Sequence, residues 1–124
     1  MIISRTPFRL PLGGGGTDLP SYYREHEGFL VTAALGLHMN ICINEPAMLD
    51  HIKINYSQVE SVAVKELHLI KHEIVREVLK QANIRRPLEI SSLADIASGT
   101  GLGSSGSYTV GLLHAINSLL RRYM

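Results

Sequence analysis

The residues Ser98-Gly99-Thr100-Gly101-Leu102-Gly103-Ser104-Ser105-Gly106-Ser107 have the types and spacing to hold a bulky anion. Three glycines at alternate positions remove the Cβ atoms that would keep the backbone away from such a group. They also allow positive φ angles, so that successive N–H groups can converge on one concavity. The serines that follow sit where a helix would begin, and a run of apolar residues continues from there. A helix opened at that point directs unpaired N–H groups and the positive end of its dipole at whatever the loop encloses. The chemistry predicted is phosphate binding.

Three familiar phosphate loops do not fit. Gly101, Gly103 and Gly106 match G-x-G-x-x-G, but the dinucleotide fingerprint wants an acidic residue roughly 20 positions later, and nothing after Asp95 is acidic. A Walker A loop ends in Gly-Lys-Ser/Thr, whereas Gly106 is followed by Ser107. A protein-kinase glycine loop joins two strands, and here a helix is expected to follow. The plain structural alternative is a glycine-rich turn closed by an ordinary serine N-cap.

A second candidate stretch lies near the N-terminus, where Gly13-Gly14-Gly15-Gly16 is followed by Thr17 and Asp18. Four glycines are costly to order, which suggests either close backbone approach to a ligand or a mobile loop. The Asp18 carboxylate can accept two hydroxyl hydrogen bonds, as a sugar would offer, and the Arg9 guanidinium can neutralise a phosphoryl oxygen. Asp18 also stands where it would cap a short helix over Leu19–His26.

These residues need a scaffold. Ile2–Leu12 reads as a strand, at an edge or bulged because of Pro7 and Pro11. Phe29–Leu35 and Leu37–Asn44 read as apolar strand segments with a bend at Gly36, and His51–Tyr56 and Val59–Val64 as a hairpin turning at Ser57-Gln58. An apolar stripe predicts a helix over Glu66–Ala82, with Asn83 at its C′ position. His68 and His72 are then four apart, but no zincin glutamate stands between them and no metal site is expected. Leu88–Leu93 reads as the strand entering the glycine loop, and Ser104–Arg122 as a final helix whose Arg121 and Arg122 complement its dipole. Strands on one side and two helices on the other predict an α+β two-layer domain.

Composition narrows the function classes. The 124 residues are 45% hydrophobic and 19% charged, an ordinary globular balance. Twelve basic against eleven acidic side chains leave no electrostatic footprint for nucleic acid or an anionic membrane. No apolar run reaches the ~18 residues a membrane helix needs, and no signal peptide is visible, so a cytoplasmic location is expected. Cys42, the one cysteine, sits in an alternating run and is expected to be buried and inert.

The glycine loop closely resembles the central motif of the GHMP small-molecule kinases, Gly-x-Gly-Leu-Gly/Ser-Ser-Ser, with Gly106 replacing the more usual alanine. Pro7-Phe-Arg-Leu-Pro-Leu-Gly-Gly-Gly-Gly-Thr-Asp18 resembles the first motif of the galactokinase-type members, Pro-Gly-Arg-Val-Asn-Leu-Ile-Gly-Glu-His-Thr-Asp. The resemblance implies a GHMP N-terminal domain over 1–124, with its left-handed β-α-β crossover. It implies that Gly99, Thr100, Gly101, Leu102, Gly103, Ser104, Ser105 and Gly106 wrap the ATP phosphates, with Ser105, or as second choice Ser104, on Mg²⁺. It implies that Gly14, Gly15, Gly16, Thr17 and Asp18 meet a sugar, with Arg9 serving catalysis.

Gly15-Gly16 stands where the family has Glu-His, which disfavours galactose and favours a bulkier or already phosphorylated sugar. Within the family the motifs look most like those of the heptose kinases, with fucose kinase domains second. The implied reaction is ATP-dependent transfer to the anomeric hydroxyl of a heptose 7-phosphate or related sugar. The family's catalytic aspartate, its Mg²⁺-binding glutamate and a C-terminal domain with a third glycine motif are expected beyond Met124, and Asp50 and Asp95 match none of them. The chain is therefore expected to be an N-terminal half or fragment. A non-catalytic nucleotide- or sugar-binding module, or one half of a split kinase awaiting a second chain, is the alternative.

Overall fold

A computed structural model describes residues 1–121. Five strands form one sheet: β1 (Ile2–Gly13), β2 (Val31–Asn44), β3 (His51–Asn55), β4 (Val59–Ala63) and β5 (Leu88–Ala94), in spatial order β1-β2-β5-β3-β4. β1 pairs antiparallel with β2, β2 with β5, and β3 with β4, while β3 and β5 run parallel. The chain between β3 and β5 passes through β4, a 3-10 segment (Val64–Leu69) and helix α2 (Glu73–Gln81). Helix α1 (Pro20–Tyr23) is one turn long, and α3 (Ser104–Leu119) closes the described chain.

Strand alternation decides which face is covered. Ile41 and Ile43, Ile52 and Ile54, and Leu88 and Ile90 are fully buried, together with Phe8 from β1. They form one core with Val75, Val78 and Leu79 of α2 and Leu112, Ala115 and Ile116 of α3. The intervening β2 residues Asn40 and Cys42 are only half-buried, as expected of a sheet with one solvated face. This corrects the expectation for Cys42: its neighbours Ile41 and Ile43 take the core positions, and its own place in the alternation is outward.

The α+β two-layer architecture is as expected, and several element boundaries are not. β1 is an edge strand with register irregularities at both predicted places, between Pro7 and Arg9 and between Pro11 and Gly13. Gly36 does not divide two strands. Pro7 pairs with His38 and Arg9 with Ala34, so Leu35–Leu37 form a bulge inside one continuous strand. The helix expected over Leu19–His26 is reduced to four residues, because none of them is buried.

The helix expected over Glu66–Ala82 is two elements. Ile70 is buried in an extended conformation (φ −58°, ψ 124°) and ends the 3-10 segment. The Glu60 carboxylate holds the break open by accepting from the backbone N–H of Lys71 (2.7 Å) and His72 (3.0 Å). His72 then N-caps α2 through Nδ1, so His68 and His72 do not share a helix face. Asn83 does take the C′ position, at φ 54°, and Ile84 N–H reaches back to the Leu79 carbonyl. In α3 the expected end at Arg122 is replaced by Leu119, with Arg121 left-handed just beyond it; Arg122 itself lies outside the described residues.

Candidate functional site

Glycine conformation builds the loop as the sequence predicts. Gly99, Gly101 and Gly103 all take positive φ (81°, 75° and 70°), which other residues adopt only with strain. Gly103 is the N-cap of α3, and no side chain caps that helix. The serine N-cap is thus absent, and the first-turn N–H groups of Ser104, Ser105 and Gly106 have no intrahelical acceptor. Ser107 is spoken for: its hydroxyl is buried and donates to the Pro7 carbonyl at 2.9 Å.

That bond joins the two motifs. A second link runs from Arg9 N–H to the Leu102 carbonyl (3.2 Å). The Arg9 side chain lies so close over Gly103 that a Cβ there would stand 3.0 Å from Nε. On the entry side, Asp95 accepts from His38 N–H at 2.7 Å and donates its own N–H to the His38 carbonyl at 3.0 Å. The loop therefore hangs between a fixed strand end and a fixed helix.

The first motif is ordered from within. Thr17 Oγ1 accepts from Phe29 N–H (3.1 Å), and its proton lies between the carbonyls of Gly14 (2.7 Å) and Phe29 (3.0 Å). Gly14, at φ 80°, abuts the Phe29 carbonyl, and a Cβ would fall on that oxygen. Asp18 is not the helix cap. Leu19 occupies that position without a side-chain bond, which leaves the exposed carboxylate unengaged in capping.

Together these constraints enclose a cleft of about 620 Å³. Arg9, Gly15, Gly16 and Asp18 line one side, and Gly99, Gly101, Gly103, Ser104 and Ser105 the other. Gly14, Thr17, Thr100, Leu102 and Gly106 do not line it. Gly14 and Thr17 close the loop on Phe29, while Leu102 packs partly into the core. Pro11, Leu30 and Ser98 also line the cleft. Leu30 had no signal in the sequence, since it arrives there only because the Thr17–Phe29 clasp folds the chain back.

A smaller recess of about 180 Å³ adjoins the loop, sharing Ser98, Ser104 and Ser105 and walled by Met39, His72, Ile74 and Tyr108. His72 stacks on Tyr108 with ring centroids 4.8 Å apart and meets the edge of Tyr56. Burial pushes the Tyr108 phenol up to about 12, with the Ser92 hydroxyl offsetting part of that, and its oxygen lacks a hydrogen bond of good geometry. Burial also lowers the pKa of His72, against the pull of Glu60. For Glu60 burial acts upward, but the Tyr56 hydroxyl (2.6 Å) and two backbone N–H groups outweigh it and hold its pKa below the usual value. Among the described residues no three His, Cys, Asp or Glu side chains gather as a metal site.

Comparison with known proteins agrees with this geometry. The family model described as the GHMP kinases N terminal domain matches residues 68–124. A curated relative, D-glycero-alpha-D-manno-heptose 7-phosphate kinase of Campylobacter jejuni, is 30% identical over 125 aligned positions. That alignment covers 92% of this chain but 36% of the relative, so the chain spans about a third of its length. Among solved structures, a D-glycero-D-manno-heptose 1-phosphate kinase from Bacteriodes thetaiotaomicron superposes with a TM-score of 0.83 at 23% identity, covering 98% of this chain and 42% of that one. The mevalonate kinase of Methanococcus jannaschii gives 0.76 at 22% identity, covering 99% and 41%. In its fold as a whole, and over residues 68–124 in its sequence pattern, this chain matches a GHMP kinase N-terminal domain.

Proposed function

We propose that this chain supplies one wall of the active-site cleft of an ATP-dependent sugar kinase acting on the anomeric hydroxyl of a heptose 7-phosphate or related sugar. The observation that carries the reading is the meeting of Arg9 and Asp18 with the uncapped glycine loop in one cleft. The name of the 30% identical relative supports the sugar class. In the transfer, the sugar oxygen bonds to the γ-phosphorus, the bond to the β–γ bridging oxygen breaks, and ADP departs. The hydroxyl proton leaves the attacking oxygen and is released to solvent.

The residues fit the donor. Ser104 and Ser105 of the first turn of α3 line the cleft, where their N–H groups lack an intrahelical acceptor, and a Cβ at Gly99 or Gly101 would meet only open space, so the backbone there is free to approach phosphate. Gly99–Ser105 would hold the phosphates and Arg9 would neutralise charge gathering on the transferred group. Asp18 would fix the acceptor through two hydroxyl hydrogen bonds. Mg²⁺ takes few protein ligands beside phosphate oxygens. The Ser105 hydroxyl is the one this chain would offer, and the ion would shield the triphosphate charge.

A non-catalytic reading is kept for one reason: the chain spans 36% of the curated relative. One experiment separates the two. Purified chain is given Mg²⁺, ATP and a panel of heptose, fucose and hexose acceptors, with ADP release measured alongside calorimetry of a non-hydrolysable ATP analogue. Turnover lost in Asp18→Ala and Ser105→Ala supports a working kinase. Nucleotide binding without turnover supports a binding half whose chemistry needs more chain. Absence of both overturns the proposal.

A further inference from the structure

A second concavity, of about 670 Å³, lies between the 3-10 segment and the C-terminal end of α2 and shares no lining residue with the cleft. Its floor is apolar, lined by the half-buried Val64 and the outer edges of the core residues Leu67 and Ile84, over the fully buried Leu79. Its rim is cationic, with Lys65, Lys80 and Arg85, and none of its lining residues is acidic. Lys80 is shared with Glu77 at 3.2 Å, and Arg85 Nε donates to Asn83 Oδ1 at 3.0 Å. Neither Lys65 nor Arg85 is in an ion pair among the described residues.

The sequence alone does not reveal this arrangement. A continuous helix over Glu66–Ala82 would have left no concavity between its own turns. The break at Ile70–His72 turns the 3-10 segment away from α2, and the left-handed Asn83 swings Ile84 and Arg85 across the end of α2. The result is an apolar trough rimmed by three cationic side chains, with a volume in the range of small-molecule sites.

We propose that this groove binds a small anionic amphiphile, a molecule with a phosphate or carboxylate head and a short apolar body. A free inorganic anion would gain nothing from the apolar floor, and a neutral apolar ligand would leave the rim cations Lys65 and Arg85, which are in no ion pair among the described residues, without a counter-charge. An amphiphile satisfies both parts. Because the groove is separate from the cleft, the site stands or falls independently of the kinase reading.

The test is calorimetry of the purified chain with octyl phosphate below its micelle concentration, with octyl glucoside as the neutral control and inorganic phosphate as the tail-less one. Octyl phosphate is expected to bind with one-to-one stoichiometry. That binding should weaken as salt is raised from about 50 to about 500 mM and persist with a saturating non-hydrolysable ATP analogue. The surface substitutions Lys65→Glu with Arg85→Glu, and the milder Lys65→Gln with Arg85→Gln, should lower its affinity by about tenfold or more while circular dichroism is unchanged. Equal binding of octyl glucoside, no octyl phosphate binding, displacement by the ATP analogue, or indifference to both pairs of substitutions would each overturn the proposal.

Discussion

Gly103 carries two constraints at once. Its φ of 70° is left-handed, and the Arg9 side chain fills the space a Cβ would need. Gly103→Ala is therefore expected to cost roughly 1–2 kcal/mol of backbone strain and to displace the guanidinium from the cleft. The check is calorimetric titration with an ATP analogue, in which affinity should fall by about tenfold or more. Gly101→Ala, with open space around its Cβ, should show the strain alone. Ser107 makes a different point. It belongs to the serine run proposed to face phosphate, yet its hydroxyl is committed to Pro7. Ser107→Ala leaves that carbonyl unpaired and should lower stability by about 1–3 kcal/mol in urea unfolding, with the cleft otherwise intact.

Among the elements, the junction before α2 is where protonation should be felt. His72 caps the helix through Nδ1, which requires the neutral ring, and burial lowers its pKa from the ordinary 6.5. Its unfolded form therefore binds a proton first, so this contribution to stability is full above pH 6.5 and is lost as pH falls from there toward the folded value. Glu60, held below the ordinary 4.5, acts in the same direction at lower pH: its contribution is present above 4.5 and lost as pH falls through the folded value. His72→Asn keeps an N-capping side chain but removes the titration. Chemical denaturation between pH 7 and pH 5 should show a flatter stability profile for this variant than for the parent protein. An unchanged slope would mean that another group is responsible.

For the molecule as a whole, the cleft is an assembly of distant parts, so a ligand that spans it should stabilise the fold. A nucleotide analogue bound only by the native chain adds about 2.7 kcal/mol at a hundredfold excess over Kd. Thermal unfolding should therefore shift upward with nucleotide. The shift should shrink to about half or less in Gly103→Ala, as a tenfold or greater loss of affinity requires, and survive in Asp18→Asn, which touches only the proposed acceptor side. A shift lost equally in both would indicate that Asp18 holds the cleft together.

Local chemistry was enough to read the positive-φ glycine loop, the Asn83 helix end and the β3–β4 hairpin, since each is set by residues within a few positions of one another. Even the bulges of β1 follow from its prolines. The rest depended on partners far along the chain. Glu60, on β4, breaks what its sequence pattern presents as one long helix, because its carboxylate takes the two N–H groups that the helix would have used. Gly36 bends a strand without ending it, because β1 supplies hydrogen bonds on both sides of the bulge. Pro7, Arg9, Leu102 and Ser107 join the two motifs into one cleft, and the Thr17–Phe29 clasp brings in Leu30. Periodicity and residue type report what a segment favours by itself. Which of those preferences survives is decided by hydrogen-bond donors and acceptors that only the tertiary fold brings within reach.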